Sequence, residues 1–335
     1  MLLDWRQLPP LPDPCGFASP FVGVSGGVLL VAGGANFPGE PLWDGGAKAW
    51  HDRIFALEPG ASRWTVAGTL PAPLAYGLSV SVAGGVLCAG GSDGGSHSDA
   101  VFVMEWRDGR VICRDLPRLP SPVAMVAGVV AGDVVYLAGG LASPGSVEAL
   151  TTFLALDLRQ PADGWRPLPA WPGPGRFQAV AAADGPAVYL LSGLRHEPRA
   201  AGGLAYLADA YRFDPGGGWR RLPDLPYPAA AAATPAPVGA DGTLVVIGGV
   251  DGALAGTRPQ DFGHVPQRIQ AYMPGDDAWR AAGNAPVGRV CVSATEWQGA
   301  WVLPSGERSS GVRSPEVWAL RFPPAGGAAG RPIRG

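Results

Sequence analysis

Charge is scarce in this chain, and neither sign dominates it. Asp, Glu, Lys and Arg make up 16% of 335 residues, the formal net charge is −3, and the 25 basic residues are scattered rather than gathered in a stripe. A nucleic-acid binder needs a basic footprint, and none is present. Cysteine is equally thin: Cys15, Cys88, Cys113 and Cys291 lie far apart, with no Cys-x-x-Cys and no metal-ligand spacing. They read as small buried apolar residues or free thiols. No apolar run approaches the roughly 20 residues of a membrane-spanning helix. Residues 1–10 show no basic segment followed by an apolar stretch, so no secretory signal is visible. The chain as it stands is expected to be cytoplasmic, or periplasmic if a signal has been removed from it.

Glycine, proline and tryptophan are plentiful instead, at 51, 36 and 12 residues, and 47% of the chain is hydrophobic. That mixture predicts many short strands joined by tight turns, and an all-β fold of this length can be a single domain.

An apolar run that ends in two small residues recurs at 28–34, 86–91, 134–140, 187–193, 243–249 and 299–306. The small pairs are spaced by 57, 49, 53, 56 and 57 residues, which makes one unit repeated six times. A variable loop follows each pair, then a third apolar run at 53–57, 101–105, 153–158, 210–213, 269–273 and 317–322. A fourth run usually brings a Trp and then Leu-Pro: Trp64 with Leu70-Pro71, Trp165 with Leu168-Pro169, Trp219 with Leu222-Pro223; the fifth copy keeps Trp279 and loses Leu-Pro. The paired glycines suit a turn with positive φ, and the tryptophans suit packing between units.

Four strands per unit, a double glycine after the second and a Trp before the fourth resemble the kelch repeat, whose units are blades of a β-propeller. The expected fold is therefore all-β, a six-bladed propeller over residues 1–322. The sixth unit ends after its third strand, and a fourth strand with its Trp lies at Leu3-Asp4-Trp5-Arg6-Gln7-Leu8-Pro9. The N-terminal strand should therefore complete the last blade and close the ring, leaving 323–335 as a loose tail.

In such a meander the loops between strands two and three share a face with the entry to strand one. Those loops are long here, at 35–52, 92–99, 141–151, 194–207, 250–267 and 307–315, whereas turns such as Gly26-Gly27 are short. A site belongs at the mouth they form. That mouth collects Asn36, Trp43, His51, Tyr76, Arg176, Gln178, Arg289, Glu307 and Arg313. An Asp before strand three recurs as Asp52, Asp99 and Asp209, and this repetition marks a loop brace. Glu307 and Arg313 are separated by small residues that let the chain fold back and bring both heads together. The plain alternative is a solvated surface ion pair.

The segment Ser305-Gly306-Glu307, then Gly311 and Arg313, resembles the Gly-Glu…Gly-x-Arg segment of bacterial N-acetylneuraminate (sialic acid) mutarotases, also called epimerases. Pro172-Gly173-Pro174-Gly175-Arg176-Phe177-Gln178, Ala75-Tyr76-Gly77, Gly33-Gly34-Ala35-Asn36 and Trp50-His51-Asp52 agree in kind. With its Glu/Arg blade last, the chain is similar to the cyclically permuted branch. The resemblance implies an isomerase that interconverts the α and β anomers of N-acetylneuraminate. It implies Glu307 and Arg313 as catalytic residues, Arg176 or Arg313 as the holder of the substrate carboxylate, and Gln178, Asn36 and Tyr76 as positioning groups. No metal or organic cofactor is required by that chemistry, and the partner is a small sugar acid. A copper radical oxidase would need a His and Tyr arrangement that His51, His97, His196 and His264 do not supply. The remaining alternative is a non-catalytic kelch propeller that binds a protein or glycan at the same mouth.

Overall fold

A computed structural model describes residues 3–323. Blade 1 is an antiparallel meander of Phe21–Ser25, Val28–Ala32, Arg53–Leu57 and Thr65–Thr69. Blades 2, 3 and 4 repeat it, running from Leu78–Val82 to Arg110–Asp115, from Ala127–Ala131 to Arg166–Pro167, and from Val180–Asp184 to Gly218–Leu222. Blade 6 takes Thr295–Trp297, Ala300–Pro304 and Val317–Arg321 from the end of the chain and Asp4–Leu8 from its beginning. Asp4 lies opposite Arg321 and Leu8 opposite Val317, so the N-terminal strand does complete the last blade. The tail expected over 323–335 lies, past residue 323, outside the described residues. Among the described residues no helix is long and apolar enough to cross a membrane.

Blade 5 departs from the expected four strands. Its sheet holds Leu244–Ile247, Arg268–Met273 and Ala278–Asn284, while the segment before them makes only isolated bridges, Val238 to Leu244 and Thr234 to Ser293 among them. Pro235 and Pro237 stand where the first strand would run, and each lacks the N–H that a ladder needs.

The core is divided into layers between neighbouring blades. Val80 and Leu87 of blade 2 meet Val135 and Leu156 of blade 3, and Leu29 and Val31 of blade 1 meet Val302 and Val317 of blade 6. Because each sheet is covered on both faces, second strands such as Val28–Ala32 and Ala187–Leu191 are buried at every position, which is why they read as unbroken apolar runs. The innermost strands hand spare N–H groups to the next blade: Val22 and Val24 donate to Ser79 Oγ and Ser81 Oγ, at 2.8 and 2.9 Å.

The recurrence of Trp with Leu-Pro also has a cause. Trp64, Trp219 and Trp279 donate their indole N–H to the carbonyls of Pro9, Pro169 and Pro223, at 2.7, 2.8 and 2.9 Å. In each case the proline lies just past the outer strand of the preceding blade, so one blade's Trp fastens to the previous blade's Leu-Pro.

At the centre, the residue entering each blade adopts positive φ although none is glycine: Ser19, Tyr76, Met125, Gln178, Ala231 and Cys291, with φ from 45° to 64°. Tyr76, Met125, Gln178, Ala231 and Cys291 each donate a backbone N–H to the carbonyl of the preceding member, and Ser19 closes the circle on Cys291, all between 2.7 and 3.1 Å. A left-handed conformation costs such residues about 1–2 kcal/mol, and a buried hydrogen bond offsets a similar amount. The result is a rigid collar at the mouth of the channel.

Candidate active site

The ten residues expected as a loop between strands of blade 6 form a small hairpin, Glu307–Ser309 against Val312–Arg313, with Glu307 paired directly to Arg313. Gly311, at φ 73°, supplies the turn. Glu307 also exchanges both backbone hydrogen bonds with Val290, at 2.9 and 3.0 Å. Since Val290 precedes Cys291, this bridge ties the carboxylate's backbone to the collar. Gly306 permits the approach: a Cβ there would lie 2.3 Å from Val292 Cγ2.

Arg313 Nη2 lies 3.0 Å from Glu307 Oε1, and the two side chains are only 4% and 14% exposed. The pair is thus enclosed and not a solvated surface bridge. The Arg313 guanidinium is 4.8 Å from the centre of the Phe37 ring, which the loop of blade 1 lays over it. Burial raises the Glu307 pKa above the ordinary carboxylate value, against the opposing pull of Arg313, Lys48 and a Gly311 N–H.

Tyr76 is buried in the collar, and its phenol accepts a hydrogen bond from Lys48 Nζ at 2.7 Å. Burial, and next the charge of Glu307, push the Tyr76 pKa well up, so it stays a protonated phenol. Lys48 sits against two rings, 4.5 Å from that of Tyr76 and 5.1 Å from that of Trp50. Burial, and then Arg313, lower its pKa, while Glu307 raises it. Gln178 donates a weak hydrogen bond to Cys291 Sγ at 3.6 Å. The buried thiol is pushed up to about 12, by burial first and then by Glu307. Below the collar the channel narrows to a cavity of about 40 Å³, lined by Tyr76, Gln178, Cys291, Thr234 and Ser293 among others. That is room for water and far too little for a sugar.

The structure therefore brings Glu307, Arg313, Tyr76 and Gln178 to one place, while two other expected residues are engaged within the protein. Arg176 is fully buried. Its Nη1 and Nη2 are bonded to both Asp209 oxygens, at 2.9 and 2.8 Å, and Nη1 also to the Ser192 carbonyl. It is the partner of the recurring Asp and has no free fork for a carboxylate. Asn36 is equally buried, donating to the Gly16 carbonyl at 2.9 Å and pairing with His51 Nε2 at 2.7 Å. It braces the loop over 35–52. Arg289 is similarly committed to Glu316. The residue that sequence reasoning missed is Lys48. The signal was compositional: it is the one lysine among 25 basic residues. Among the described residues no three His, Cys, Asp or Glu side chains converge to hold a metal ion.

The six-bladed propeller thus carries an enclosed carboxylate–guanidinium pair beside the collar at its centre. The chain belongs to the N-acetylneuraminate epimerase family, whose model matches residues 2–113 and 116–257. Glu307 and Arg313 lie beyond that match. Curated relatives described as N-acetylneuraminate epimerase include one from Haemophilus influenzae, 37% identical over 123 residues, covering 32% of each chain. One from Brucella suis is 41% identical over 107 residues, covering 29% of this chain and 27% of the relative. The chain thus spans about a third of the length of the curated relatives it matches. A solved structure described as that of YjhT superposes with a TM-score of 0.71 at 15% identity, over 95% of this chain and 98% of the other, a likeness of fold.

Proposed function

We propose that this protein is a sugar-acid mutarotase that interconverts the α and β anomers of N-acetylneuraminate at the mouth of the propeller. The observation that carries the reading is the enclosed pair of Glu307 and Arg313 beside Tyr76 and Lys48, in a chain of the epimerase family.

Anomer exchange at C2 proceeds by opening the ring, rotating about the bond to the new ketone, and closing on its other face. Opening removes the proton of the anomeric hydroxyl and adds one to the ring oxygen as the C2–O bond breaks; closing reverses both transfers. Glu307 takes the hydroxyl proton, and the same carboxylic acid, through a water, returns it to the ring oxygen. Its raised pKa makes it a stronger base than an ordinary carboxylate, while Arg313 keeps enough of it ionised to act. Tyr76, held protonated, donates a hydrogen bond to the sugar, and Gln178 offers an amide from the collar.

The test is proton NMR of a single anomer freshly released into buffer. Catalytic amounts of protein should bring N-acetylneuraminate to its anomeric equilibrium well ahead of the spontaneous rate, and should leave a neutral hexose at its own rate. Binding of N-acetylneuraminate with no acceleration would contradict the proposal and favour a non-catalytic glycan binder.

A further inference from the structure

Recognition of a sugar acid calls for a cation that can reach the sugar's carboxylate, and the mouth's arginines are buried and each paired with a carboxylate. Arg176 is fully buried on Asp209, and Arg289 is bound to Glu316. Arg313 is 4% exposed with Nη2 on Glu307; its Nε and Nη1 have no hydrogen-bond partner, but both are buried away from solvent. Lys48 is less buried and has no carboxylate within salt-bridge distance among the described residues. It is half-buried at the rim, immediately before the strand Ala49–Trp50 of the blade 1 hairpin, and its Nζ contacts the neutral phenol of Tyr76 at 2.7 Å. An ammonium carries three donors, of which Tyr76 takes one.

Resting on the mutarotase reading above, we infer that Lys48 is the anchor for the substrate's carboxylate, its ammonium held at the edge of the collar by Tyr76 Oη and by the rings of Tyr76 and Trp50. Composition supports the same conclusion. The chain uses arginine at 24 of its 25 basic positions and lysine only here. Arginine presents a rigid planar fork that needs bidentate room, whereas an ammonium is a compact charge with rotatable donors, suited to the narrow space between two rings and a ligand. The environment agrees: burial and Arg313 disfavour the charge on Lys48 in the empty site, and an arriving carboxylate restores what they remove. Glu307 is then left free for proton transfer, and the carboxylate next to C2 fixes the anomeric centre between Lys48 and Glu307.

A lone lysine makes the test direct, since protein grown on lysine labelled with ¹³C at Cε gives one side-chain signal. Titration with N-acetylneuraminate should shift that signal and raise the pH at which it titrates, whereas the methyl ester of the same sugar should leave it nearly still. Lys48→Met should weaken binding of the acid by roughly 10–100-fold, the range for losing a charged hydrogen bond, and change binding of the ester little. Lys48→Arg should recover part of the loss. If the acid binds and is turned over while the lysine signal stays still, or if Lys48→Met binds acid and ester as wild type does, the anchor is wrong and the mutarotase reading stands. If wild type neither binds the acid nor accelerates anomer exchange, the mutarotase reading fails and takes this inference with it.

Discussion

Three arginines and a lysine near one mouth show how far environment, rather than residue type, decides a role. Arg176 has both ends of its guanidinium on Asp209 and stands 5.2 and 5.4 Å from the ring centres of Tyr211 and Trp171, so it is part of blade 4's structure. Removing one partner of such a pair leaves the other charge uncompensated, which typically costs about 3–5 kcal/mol. Arg176→Met should therefore lower the denaturant midpoint by a corresponding amount, and an unchanged midpoint would contradict the assignment. Arg313 acts on Glu307. Burial lifts the Glu307 pKa above 4.5 and Arg313 pulls it back, so the acid limb of the pH–rate profile should lie above the range of an ordinary carboxylate. In Arg313→Met the stabiliser of the ionised form is gone, and the limb should move to still higher pH. Movement to lower pH would contradict this order of effects. The meeting of Glu307 and Arg313 was legible in the sequence because the small residues between them let the chain fold back; that they pair across two short strands was not. The commitments of Arg176 and Asn36 were not, because they depend on which loop reaches back to which strand. Lys48 needed a count of lysines rather than a motif.

The elements follow the repeat wherever its local chemistry is complete. Second and third strands fell where apolar runs bounded by Gly pairs placed them, since a strand covered on both faces needs nothing more than continuous apolar side chains. Blade 5 lost its first strand where Pro235 and Pro237 removed donors, a rule visible in the sequence but outweighed there by the sixfold pattern. The hairpin at 307–313 reads as a loop in the sequence because strands of three and two residues give almost no periodic signal. The strand Asp4–Leu8 makes five cross-strand pairs with Val317–Arg321, and Pro9 then accepts the indole of Trp64. Deleting residues 1–10 removes that ladder. At roughly 1 kcal/mol for each net hydrogen bond, the loss is on the order of several kcal/mol, a large share of an ordinary domain's stability. The truncated protein should melt well below the full chain, and equal melting temperatures would contradict closure by this strand.

On the scale of the whole molecule, the collar narrows the centre of the ring. Six backbone hydrogen bonds close the collar and the cavity beneath it holds only about 40 Å³, so the proposed chemistry is assigned to side chains around the rim. Blade 6 contributes the acid–base pair, blade 1 the loop that covers Arg313 and carries Lys48, and the entry to blade 2 supplies Tyr76. Blades 6 and 1 are joined by the strand that closes the ring, so the two ends of the chain must meet before the site exists. The central claim is that the Glu307 carboxylate moves the proton in anomer exchange, and replacing it by its uncharged isostere is the most direct test. With the fold verified by an unchanged melting transition, proton NMR should find Glu307→Gln bringing a fresh anomer of N-acetylneuraminate to equilibrium about 10²–10⁴-fold more slowly than wild type, the usual contribution of a general acid–base residue. A Glu307→Gln protein as fast as wild type would contradict the account.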